Sequence, residues 1–163
     1  MFAIAACLEY QYGRGHLALT GVKSQDRPSI HNRFCEDDRD LLPLLAGLKD
    51  ALRLTEQPGL RAMIDAIAFP NPKRGTRDED LKDLIRRFSG SGYHPCGTIK
   101  MGPREAAGSI VNASGQMHRC EGLVVADASI MPHVPRANTN LSTIMIGEKI
   151  SQDIQRHPAR FGL

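Results

Sequence analysis

Apolar residues recur at spacings of three and four in the stretch from Asp37 to Gln57: Leu41, Leu44, Leu45, Leu48 and Leu52, with Ala51 beside them. One stripe at that period predicts an amphipathic helix. Asp37 or Asp38 can cap its start, because a short acidic side chain accepts from the free amides of a first turn. Pro43 falls early, where a missing N–H costs least, and Pro58-Gly59 ends the pattern. Leu81, Leu84, Ile85 and Phe88 predict another helix over 77–88, with Asp78 as a candidate cap. Ile144, Met145, Ile150 and Ile154 predict a last helix over 142–155. Residues 60–67 suggest a short additional helix, and 69–76 read as a loop.

The remaining apolar segments have strand patterns. Residues 2–9 are apolar at nearly every position, and 16–22 alternate, with Leu17 and Leu19 on one face. Residues 30–34 read as a short extended piece. Leu123 to Ala126 is an apolar run between Gly122 and Asp127, as expected of a strand buried on both faces. The pattern predicts an α+β fold. An antiparallel sheet drawn from 2–34 and part of 93–120 is flanked by the helices within 37–88.

Composition narrows the function classes. The 163 residues suffice for one domain with a real core. The net charge is +3, with the basic residues scattered and no Trp. A basic stripe interleaved with aromatics is missing, which argues against nucleic-acid binding. No run approaches the roughly 18 apolar residues of a membrane span. The apolar opening lacks a basic start and meets Glu9 at once, unlike a secretory leader. Cys7, Cys35, Cys96 and Cys120 are too dispersed for a disulfide framework. Free thiols in a reducing compartment are the simpler expectation, hence a cytoplasmic location.

Three motifs carry the chemistry. Tyr93 to Gly102 reads Y-H-P-C-G-T-I-K-M-G, Glu121 to Pro132 reads E-G-L-V-V-A-D-A-S-I-M-P, and Asn138 to Lys149 reads N-T-N-L-S-T-I-M-I-G-E-K. In this order they resemble the C-terminal part of the glucose–methanol–choline (GMC) family of FAD-dependent alcohol oxidoreductases. Gly13-Arg-Gly-His-Leu-Ala-Leu and the helix beginning at Asp37 add weaker matches. The resemblance implies that 1–120 belong to the substrate-binding domain and 121–157 return to the FAD-binding domain. No G-x-G-x-x-G occurs in these residues. The expectation is a piece of a longer enzyme, whose missing N-terminal FAD-binding half seats the pyrophosphate on a helix N-terminus.

Flavin-dependent alcohol oxidation needs a base for the hydroxyl proton and an acceptor for the hydride. The resemblance puts His94 in the place of the catalytic histidine. Histidine suits that role because its pKa lies near neutrality. Asn140 takes the second active-site position. An amide there can hydrogen-bond the substrate oxygen but is no base. The His94/Asn140 pair resembles the choline dehydrogenase-like branch. Asp127 and Ala128 are implied to meet FAD, as are Asn138, Thr139, Leu141 and Ser142 at the start of the last helix. The positive end of that helix would face the electron-rich edge of reduced flavin. The implied substrate is a small alcohol, and the electrons pass to oxygen or a carrier.

Plainer readings use the same residues. Asn140 can be a helix N-cap, Asp127 can cap the short turn after it, and His94 can be a surface histidine in a Gly-rich turn. His94/Cys96 and His118/Cys120 form two H-x-C pairs that could hold structural zinc. The chain could also be a substrate-domain remnant that performs no chemistry by itself.

Overall fold

The computed structural model describes residues 2–71 and 75–163. The order is β1 (His16–Ala18), β2 (Ser29–His31), α1 (Asp38–Thr55), α2 (Pro58–Arg61), α3 (Asp78–Phe88), a 3-10 turn (Ala128–Ile130), α4 (Asn140–Arg156) and a closing 3-10 turn (Pro158–Phe161). The fold is α+β with a small antiparallel sheet. The chain forms two compact units that meet in sequence at Gly90 and Ser91.

In the first unit, α1 starts where Asp37 accepts from the Arg39 amide, as the pattern predicts. Leu41 and Leu45 are buried with Leu81 and Ile85 of α3, and Leu44, Leu48 and Leu52 pack around them. This is the apolar stripe finding its partner. Asp40 is the exception, a buried carboxylate on α1. It accepts from the backbone N–H groups of Tyr12 (2.8 Å) and Gly13 (2.7 Å), and so pins the Gly-rich turn to the helix. β1 and β2 pair antiparallel, with His16 opposite His31 and Leu17 opposite Ile30.

Several expected elements are shorter than the pattern suggests. Residues 2–9 are not a strand: they run past α1, with Ala6 against Gly47, and make no backbone ladder among the described residues. A strand is made by its neighbour, and apolar content alone supplies none. The helix suggested over 60–67 is one turn, Pro58–Arg61, because Pro58 starts it and Ala62 already caps it. The loop read over 69–76 falls partly on 72–74, which lie outside the described residues.

In the second unit, Val111, Ile130, Met131, Ile146 and Ile150 make the core. Residues 97–101 run beside 128–130: Gly97 N–H donates to Ala128 O (3.1 Å), Ile99 to Ser129 O (2.9 Å) and Met101 to Ile130 O (2.8 Å). The strand expected at 123–126 is reduced to a bridge between Val124 and Gln116. Positive φ at Gly115 (74°) and Gly122 (69°) reverses the chain before a ladder can propagate. The same turns explain why 93–120 hold only isolated bridges. These hydrogen bonds tie 97–117 to 123–130 within the second compact unit, which begins at Ser91.

Candidate active site

Three segments of the second unit build the site. The first is the turn carrying His94. Tyr93 sits at φ 63°, left-handed for a non-glycine residue, with its N–H donating to Ser91 Oγ at 2.9 Å. Gly97 follows at φ 77°, and a Cβ there would lie 3.1 Å from Met131 O. Only glycine fits that approach without displacing backbone.

The second segment is the turn after 123–126. Asp127 caps it, accepting from the Ser129 N–H (2.7 Å) and the Ser129 hydroxyl (2.5 Å). These bonds, the hydroxyl first, hold the Asp127 carboxyl below its ordinary pKa. The capping role foreseen for Asp127 is thus formed, and Ala128 beside it accepts from Gly97 N–H.

The third segment is the start of α4. Thr139, not Asn140, occupies the N-cap position, and Asn140 is the first helical residue. The cap expected of Asn140 is therefore not made, and its side chain is exposed. Thr139 is buried, and its carbonyl accepts from both the N–H and the hydroxyl of Thr143. No side chain caps the helix, which leaves the amides of Asn140, Leu141 and Ser142 without one as partner. That row of N–H donors at the positive end of a long helix suits an electron-rich carbonyl or anionic edge. It fits the isoalloxazine part of a flavin.

The first and third segments meet through the histidine, while Gly97 N–H to Ala128 O joins the first to the second. His94 Nδ1 lies 3.2 Å from Thr139 Oγ1. Asn138 and Asn140 flank Thr139, so the histidine and the Asn-Thr-Asn loop form one constellation. Leu141 is 78% exposed and Ile144 and Met145 each 55%, an apolar face on the helix that carries the site.

The four proposed zinc ligands do not assemble. Among the described residues, no group of three or more His, Cys, Asp or Glu could hold a metal. His118 Nε2 instead sits 3.0 Å from both Ser109 Oγ and Gly102 O, and Cys120 reaches the Glu121 carbonyl. Two H-x-C pairs on separate turns lack the common face a tetrahedral site needs. The family motif marks Thr139 as a cofactor contact and gives its hydroxyl no role toward His94. The hydroxyl's place on the histidine comes from tertiary folding and left no local signal.

Comparison with known proteins gives this constellation its setting. Residues 11–147 match the model of the GMC oxidoreductase C-terminal domain. The chain belongs to the GMC oxidoreductase family. It is 35% identical over 149 residues to an oxygen-dependent choline dehydrogenase of Escherichia coli, covering 90% of this chain and 26% of that protein. The chain thus spans about a quarter of the length of the curated relatives it matches. A fungal aryl-alcohol oxidase superposes with a TM-score of 0.78 at 28% identity, over 92% of this chain and 24% of that one. Pyridoxine 4-oxidase from Mesorbium loti superposes with a TM-score of 0.81 at 23% identity, over 91% and 28%.

Proposed function

We propose that this chain supplies the proton-accepting half of an FAD-dependent alcohol oxidation. The observation that carries the reading is the His94 Nδ1–Thr139 Oγ1 contact, which joins the histidine motif to the Asn-Thr-Asn loop. In the tautomer this role requires, Nδ1–H donates to Thr139 Oγ1 and Nε2 is left as the acceptor of the substrate hydroxyl proton. Asn140 offers an amide to the substrate oxygen. Bound FAD would supply the two-electron acceptor for the hydrogen on the alcohol carbon. The residues that would hold it are Asp127 and Ala128 at the turn, with Asn138, Thr139, Leu141 and Ser142 at the start of α4.

The family and the choline dehydrogenase relatives support a small alcohol as substrate. In this reading residues 1–120 serve the substrate domain and 121–157 the FAD-binding domain. The glycine motif that seats the pyrophosphate, absent from these residues, comes from polypeptide outside them. The exposed apolar face of Leu141, Ile144 and Met145 favours the accompanying view that the 163 residues alone do not turn over. No disulfide joins the cysteines among the described residues, which agrees with a reducing, cytoplasmic setting. No helix among the described residues is long and apolar enough to cross a membrane.

The test is His94→Ala in a flavin-loaded enzyme containing this segment. Turnover should drop about 10²–10⁴-fold, the usual range for a lost general base. Near-normal turnover with full flavin content removes His94 from the role.

A further inference from the structure

One cross-strand pair on the β1–β2 ladder stands apart from the chemistry above. His16 lies directly opposite His31, and their rings stack with centroids 4.3 Å apart, 12° from parallel. Both residues are exposed. Ser29, two residues before His31 and so on the same face, places Oγ 2.8 Å from His31 Nε2. Neither histidine lies in the motifs that build the candidate site. Opposed strand residues hold their Cβ atoms about 4.5–5.5 Å apart, and imidazole nitrogens bind zinc at about 2.0–2.1 Å. Turning two exposed rings can therefore bring one nitrogen from each to a single ion.

We propose that His16 and His31 form a surface site for one borderline divalent metal ion, Cu(II) before Ni(II) and Zn(II), with water completing the coordination. Imidazole is a favoured ligand of all three, and the affinity order follows the general divalent series. No third His, Cys, Asp or Glu of the described residues joins the pair in a metal-holding group. The site is accordingly open and exchanges its ion readily. The ion ties β1 to β2 and binds only the paired form, so it stabilises the hairpin by mass action. Ser29 competes for His31 Nε2, which weakens the site.

The test is titration of the 15N-labelled chain with Cu(II) below one equivalent. Paramagnetic broadening should appear first at His16, His31 and their neighbours Leu17 and Ile30. By calorimetry, His16→Ala and His31→Ala should each weaken Cu(II) binding at least about tenfold, while Ser29→Ala strengthens it a few-fold. Circular dichroism checks that the variants fold, and the broadening pattern of the unsubstituted chain needs no variant. The proposal is overturned if the strongest copper site persists when both histidines are replaced. Broadening centred on another histidine, or binding seen only at millimolar metal, overturns it equally.

Discussion

His94 and Thr139, 45 residues apart in sequence, meet at 3.2 Å between Nδ1 and Oγ1. The exposed turn of one residue is anchored to the buried N-cap of the other, so the helix that presents Asn140 also fixes the imidazole. The proposed base requires the Thr139 hydroxyl to accept from Nδ1–H, which leaves Nε2 unprotonated. Thr139→Val keeps the shape of the side chain and removes the hydroxyl. Losing one such hydrogen bond costs about 1 kcal/mol, which corresponds to a loss of about fivefold in turnover of the flavin-loaded enzyme of the proposed function. Nitrogen-15 shifts of the His94 ring should move from a single Nδ1–H tautomer to a mixture. Unchanged shifts would mean that Thr139 does not set the tautomer.

Asp40 tests how the first unit holds its loop. Its two oxygens take the N–H groups of Tyr12 and Gly13 inside the fold. Asp40→Ala strands both donors, and hydrogen bonds to a charged group are worth about 1.5–3 kcal/mol each, with incomplete additivity. A loss of about 2–4 kcal/mol by urea unfolding is expected. Asp40→Asn, which retains one acceptor oxygen, should fall between. Equal stability of all three proteins would refute the anchoring.

Acid should reveal Asp37. Arg39's guanidinium, through its side-chain hydrogen bonds, and then the Arg39 amide lower the carboxyl to about 2. A depressed carboxyl stabilises the fold fully above its unfolded pKa, about 3.9, and loses that contribution as pH falls toward about 2. Asp37→Asn retains a capping oxygen but has no charge to titrate. Stability of the parent chain should therefore fall more steeply between pH 4 and 2 than that of Asp37→Asn. Parallel curves would show that the Arg39 contacts do not bias the titration.

Gly97 is where the site is tightest. Alanine at φ 77° is a left-handed residue, costing about 1–2 kcal/mol, and its Cβ would crowd Met131 O at 3.1 Å. Gly97→Ala should lower stability by at least that amount and disturb the amide shifts of Ala128 and Met131. A neutral result would mean that the turn opens freely, and the register of 97–101 along 128–130 would need another explanation.

What could be read from the sequence depended on whether the information was local. The α1 stripe, its Asp37 cap and the α3 face are periodic signals within one element, and the structure forms them within a residue or two. The strand over 2–9 and the ladder at 123–126 depended on partners that periodicity does not supply. The site shows the same division. His94, Asp127 and the Asn-Thr-Asn loop were marked by motif, while the hydroxyl of Thr139 reaching His94 is a contact between distant turns. Asp40 carried no visible signal either, because an acidic residue in a first helical turn is ordinary until its partners are known.

Flavin affinity of these residues alone should be low. In the proposed reading, the groups of these residues that would face flavin are the amides at the start of α4 and the turn at Asp127 and Ala128. Charge at a helix N-terminus gains about 0.3–1 kcal/mol, up to about 2 in a partly buried setting. Micromolar affinity needs about 8 kcal/mol. The remainder must come from the pyrophosphate and adenosine contacts of a G-x-G-x-x-G unit, which these residues lack. The 163-residue chain should therefore purify without stoichiometric flavin and quench added FAD fluorescence only weakly. Appending a polypeptide with that unit from a GMC relative should restore a yellow protein. If the chain alone binds FAD stoichiometrically, the α4 N-terminus is not a minor contributor, and a different cofactor geometry holds the flavin.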